Sequence, residues 1–250
     1  MREFNFPSNH RWTLFAHTNR PEWGSENPIQ AMLTLDAVKI AFETVFGGQL
    51  INSKAIYVLH TDEEYPSSSI DRSIIFIEAE EPVWELLVFQ FAHELCHAII
   101  GQGTPNQLNW FEETLCMLAS FYFLELLADT SSIPTTCITL RNYGPILKQC
   151  RKNNSARIPS DFTEPFSEYM ANHYASLCDD YKNDKLNREM HTLCANKMLP
   201  LFFKEPSLWL DVIKISKSLP NDSFKHFLGK LVDSSINGSG ANALFNQFFD

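Results

Sequence analysis

The segment that most limits the fold is PVWELLVFQFAHELCHAIIG, residues 82 to 101. Apolar side chains occupy nearly every position, from Val83 and Trp84 to Ile99 and Ile100. A helix that is apolar all round belongs inside a core, so its polar exceptions carry information. Gln90, His93, Glu94 and His97 fall at helical spacing on one stripe. Glu85 stands apart near the N-terminus, where the helix dipole favours an acid. Burying two imidazoles and a carboxylate without partners costs several kcal/mol, so the stripe needs something to satisfy it.

His93 and His97 are four residues apart, which sets their Cβ atoms about 5–6 Å apart on one helix face. Both rings can then reach one zinc ion at about 2.0–2.1 Å. Glu94 lies about 100° round the helix. It does not easily join the same ion, but it can reach a water on that ion and take its proton. His93-Glu94-Leu95-Cys96-His97 is thus an H-E-x-x-H pattern on the buried helix that its chemistry requires. The plain alternative is a hydrogen-bonded histidine pair in a core.

The chain has 250 residues, 44% hydrophobic and 20% charged, which suits one large domain or two joined subdomains. Such a chain buries a sizeable core unaided, so a metal would serve chemistry rather than folding. The net charge of -10 and pI of about 5.3 argue against nucleic acid or an anionic membrane as partners. No run of about 18 apolar residues predicts a membrane span. The first residues, MREFNFPSNHRW, lack the apolar run of a signal peptide. Cys96, Cys116, Cys137, Cys150, Cys178 and Cys194 are scattered and contain no CxxC pair, which predicts reduced, buried thiols in a cytoplasmic protein.

Strands are expected at residues 11–17, 55–60 and 73–79. A helix should begin at Asn27-Pro28 and stop at Gly47-Gly48. Glu81-Pro82 opens the polar-striped helix, GQGTPNQLN breaks the chain, and a second apolar helix covers about 110–128. Beyond Asp129 only helices are expected, at 137–152, 162–180, 185–203, 206–218 and 222–234. SSINGSG, residues 234–240, reads as a flexible turn before the short tail ANALFNQFFD. The prediction is an α+β fold. A small N-terminal mixed sheet packs on the central helix in residues 1–130, and a mostly helical subdomain occupies 131–250.

A catalytic zinc usually has three protein ligands and one open position. The helix after the break begins NWFEETLCMLASFYF and carries adjacent acids, Glu112 and Glu113, of which one should face the metal. At this point the chain resembles the gluzincin metallopeptidases. In that family a glutamate on the helix after the H-E-x-x-H helix completes the zinc site. The segment Trp110-Phe111-Glu112-Glu113-Thr114-Leu115-Cys116 fits the family signature best with Glu113 as ligand and Glu112 as second choice. Thr114 and Cys116 replace commoner small residues there, Glu112 stands where Asn is frequent, and Met117 stands where some members have an Asp. The resemblance covers residues 55–128 well and the rest faintly. It implies a zincin-like fold and hydrolysis of peptide bonds, with Glu94 activating water. It also implies an edge strand, here 73–79, that pairs with an extended peptide or protein substrate. A Tyr or His from the second half should support the oxyanion. Tyr174 is the best placed in EYMANHYASLC, with His173 next and Tyr143, Tyr169 and His191 weaker.

Gln90 is expected to orient Glu94 or the substrate, or simply to pack. Cys96 and Cys116 read as small buried residues. No Gly-rich phosphate loop and no G-x-S-x-G elbow occurs. Two other readings stand beside a general peptidase: an inactive or regulatory zinc-binding module, and a protease that cuts one partner protein.

Overall fold

The computed structural model describes residues 1–17, 23, 28–62, 66–69, 71, 73–78, 83–129, 137–156, 162–179, 184–235 and 238–250. Five strands form one mixed sheet. They are β1 (Arg2–Phe6), β2 (Asn9–Ala16), β3 (Ile56–His60), β4 (Ser67–Ser68) and β5 (Ile74–Ile77), in the order β1-β2-β3-β5-β4. β1 and β2 are antiparallel, β2, β3 and β5 run parallel, and β4 lies antiparallel on β5. Parallel neighbours need a long crossover, and α1 (Ile29–Phe46) lies in the one from β2 to β3. A short α2 (Gly48–Ile51) follows. The helix-then-glycine expectation holds, since Gly47 takes φ 84°, a value that L side chains rarely adopt. Asn27, expected to cap α1, lies outside the described residues, as do Glu81-Pro82.

The polar-striped segment forms α3 (Trp84–Ile100), and the next apolar segment forms α4 (Asn109–Leu127). The remaining helices are α5 (Gly144–Ser155), α6 (Phe166–Asp179), α7 (Asp184–Lys204), α8 (Leu208–Val212), α9 (Phe224–Ser234) and α10 (Gly238–Phe249). The fold is therefore α+β, with a small mixed sheet and mostly helical content. No helix among the described residues is long and apolar enough to cross a membrane.

The chain forms two compact units. The first comprises Met1–Gly101 and Ala119–Lys152, the second Gln102–Leu118 and Asn153–Asp250, and α4 runs through both. This division differs from the expected 1–130 and 131–250, for packing reasons. Arg151 of α5 lies 3.6 Å from Glu125 of α4 and sits over the Phe121 ring, which keeps that segment with the first unit. Trp110 and Phe111, at the start of α4, instead join Phe224 of α9 and Phe248 of α10 in an aromatic cluster. Within the first unit, Phe91 of α3 packs against Phe6 and Trp12 of the sheet, with 6.5 Å between ring centroids in each pair. Phe123 of α4 stacks on Phe42 of α1 at 3.8 Å.

Four expectations are corrected. The strand at 73–79 is not an edge strand, because Ser67 and Ser68 of β4 pair with Phe76 and Ile75 on its outer side. A two-residue serine strand has no hydrophobic alternation by which to be noticed. The chain also begins with a strand, β1, that turns back as a hairpin with β2. The tail ANALFNQFFD belongs to α10, whose Ala241, Leu244 and Phe248 are buried along one face. The expected helix at 206–218 divides into α8 and a 3-10 turn, Ile213–Lys217.

Candidate metal centre

α3 is tied down near its middle and at its C-terminal end. Near its N-terminal half, Gln90 clasps the end of β5. Its Oε1 accepts from the Glu78 backbone N–H at 3.2 Å, and its Nε2 donates to Glu78 Oε2 at 3.0 Å. The His60 ring donates from Nε2 to the Glu78 carbonyl at 3.0 Å, since a carbonyl can only accept. At the C-terminal end, Lys54 donates to the Ala98 carbonyl at 3.1 Å, one of the oxygens that a helix end leaves without an intrahelical partner. Gly101 then ends the helix at φ 79°. Gln90, read from sequence as orienting Glu94 or the substrate or else as packing against polar neighbours, ties α3 to the sheet through Glu78.

On this fixed helix the rings of His93 and His97 lie 5.1 Å apart between centroids, inclined by 65°. His97 and Glu94 are buried and His93 is half-buried. The next helix returns alongside, as a short connection predicts for neighbouring helices. Ser120 Oγ of α4 donates to the Phe89 carbonyl of α3 at 2.9 Å, and the Phe89 and Phe121 rings lie 6.2 Å apart. In an antiparallel pair, one turn forward on α3 meets one turn back on α4. From Phe89 and Ser120 that step leads to His93 and Cys116.

One ligand atom from each of His93, His97 and Cys116 lies within 4.8 Å of the others. In a tetrahedral zinc site such atoms stand about 3.3–3.6 Å apart, from the bond lengths that zinc takes to nitrogen and sulfur. Movements on the order of 1 Å would close the site, within the reach of side-chain torsions. Two imidazoles and a thiol are donors that zinc prefers, whereas magnesium and calcium favour oxygen. The residues present therefore fit a zinc ion.

Glu112 and Glu113 lie one turn before Cys116 on α4. Glu112 is buried and Glu113 half-buried. Neither belongs to the three-residue group. Cys116 is the functional candidate that sequence reasoning passed over. The available signal was its position three residues after Glu113, on the same helical stripe.

The other expected residues lie in the second unit or are engaged elsewhere. Tyr174 of α6 meets Trp110 edge-on at 5.9 Å and lies 6.3 Å from Phe224. His173 stacks on Tyr169 at 4.0 Å and donates from Nδ1 to the Tyr169 carbonyl at 2.9 Å. Thr114, beside Glu113, donates its only hydroxyl proton to the Trp110 carbonyl at 2.9 Å. At its 3.0 Å contact with His191, Nδ1 of the ring must then be the donor. In the first unit, Tyr143 Oη donates to Glu85 Oε2 at 2.7 Å. Burial, followed by that carboxylate, raises its pKa and keeps the phenol neutral. The described cysteines Cys96, Cys116, Cys137, Cys150 and Cys194 are free thiols.

Comparison with known proteins finds no matching family model, no matching curated protein and no matching solved structure.

Proposed function

We propose that the protein is a zinc-dependent peptidase with a zincin-like arrangement of sheet and helices. The observation that carries this reading is the convergence of His93 and His97 on one face of α3, with Glu94, next to His93 in sequence, buried as well. His93, His97 and one residue of α4 would hold the ion, Glu113 being the one that the gluzincin resemblance implies. A bound zinc ion polarises a carbonyl and makes water acidic enough to be deprotonated near neutral pH.

Glu94 is the proton carrier. Its carboxylate accepts the proton of the attacking water and delivers it to the leaving amine. Glu94 is itself buried, which limits the access of bulk water to its carboxylate. Support of the oxyanion by a hydrogen bond is the role that the gluzincin resemblance implies for Tyr174 or His173. The substrate is a peptide or protein segment.

Two measurements test the reading together. The purified wild-type chain should carry about one zinc ion, and His93→Ala should carry almost none. Glu94→Gln should keep the zinc and lose about 10²–10⁴-fold in cleavage of a peptide library. A wild-type chain without stoichiometric metal, or a fully active Glu94→Gln variant, would end the proposal.

A further inference from the structure

We propose that the thiolate of Cys116 is itself a ligand of the metal held by His93 and His97, making the site His2Cys. This inference rests on the zinc reading above and names a ligand that the resemblance does not supply. The thiol is fully buried on α4. The next turn of α4 is tied to α3 through Ser120 and Phe89, which lie one turn from Cys116 and one turn from His93. Its sulfur lies within 4.8 Å of ligand nitrogens on both histidines, and no other group of three such residues occurs among the described residues. Glu113 is more exposed and falls outside that group.

The chemistry agrees with the placement. A buried thiol in apolar surroundings resists ionisation, but a coordinating thiol is deprotonated outright by the cation. On binding, the S–H bond of Cys116 breaks, a metal–sulfur bond forms and the proton leaves to solvent. The ligand set then carries one negative charge from the protein. Two histidines and one cysteine leave the fourth tetrahedral position open, so the site keeps room for water beside Glu94.

The test uses the full chain loaded with cobalt(II) in place of zinc, because a thiolate on cobalt gives an intense charge-transfer band in the near ultraviolet. The wild-type band should appear at one equivalent, persist in Glu113→Gln and in Cys96→Ala, and vanish in Cys116→Ser. Metal affinity should fall in Cys116→Ser by more than the about 10–100-fold typical of losing a supporting partner. If Cys116→Ser does not fold, the cadmium-113 resonance of the wild-type chain decides alone, since sulfur ligation moves it far downfield of nitrogen and oxygen ligation. Bound cobalt without the band, or a band that survives Cys116→Ser, overturns this proposal and leaves the zinc reading in place. A wild-type chain that binds no cobalt, zinc or cadmium overturns both.

Discussion

Asp36 shows how a single buried charge is tolerated in this protein. It sits on α1, almost entirely out of water, and accepts from both the backbone N–H and the hydroxyl of Ser8. Burial raises its pKa above the ordinary value of 3.8, while the Ser8 bonds and then Lys39 pull it back. Lys39 is itself fully buried and donates to Glu43 at 2.5 Å. The sign of the pH dependence follows from the raised value. The folded chain holds this proton more firmly than the unfolded chain does, so its contribution is present below 3.8 and is lost as pH rises through the raised value. Asp36→Asn should remove that loss, raising the urea midpoint at neutral pH relative to that at acidic pH. An unchanged difference between the two midpoints would show that the Ser8 bonds cancel the cost of burial.

Between elements, the most consequential contact is that of α4 with α1 and α3. Phe123 on Phe42 is a full aromatic stack in the first unit, and Phe123→Ala should cost about 3–5 kcal/mol in chemical denaturation. Ser120→Ala removes one hydrogen bond across the α3–α4 seam and should cost only about 0.5–1.5 kcal/mol. A greater effect on metal affinity than on stability in that variant would mark the seam as the feature that positions Cys116. The same level explains what the sequence could tell. α1, α3 and α4 were legible because each is long, apolar and bounded by Pro or Gly. His93, Glu94 and His97 were legible because one helix fixes their mutual geometry. The approach of Cys116 to the two histidines was not, because it depends on the register between two helices, which a single sequence does not encode locally. β4 was hidden by its length of two serines. In α10, Gly238 and Gly240 disguised the apolar spacing of Ala241, Leu244 and Phe248.

Across the whole molecule, one carboxylate in each unit responds to acid in the opposite sense to the other. In the second unit Asp222 accepts from Lys230 Nζ at 2.9 Å and from the Leu219 backbone at 2.8 Å, just ahead of α9. The Lys230 bonds hold its carboxyl below the ordinary value of 3.8. Its contribution is therefore present above 3.8 and is lost as pH falls through the lowered value. Asp36 in the first unit gains as pH falls over the adjoining range. Hydrogen exchange, corrected for the intrinsic pH dependence of amide rates, should show α9 losing protection on acidification while α1 keeps or gains it. Parallel loss in both helices would mean that the chain opens as one cooperative block.

The way the sheet ends bears on how the protein survives at high concentration. A free strand edge is a template on which other chains can assemble into fibrils. Here one outer strand is Ser67–Ser68, preceded by Pro66, and the other begins with exposed Arg2 and Glu3. Proline, charge and brevity are the devices by which natural sheets discourage such assembly. Replacing Ser67 and Ser68 by valine would offer a longer, greasier margin, and turbidity or thioflavin binding on gentle heating should then rise well before the native fold is lost.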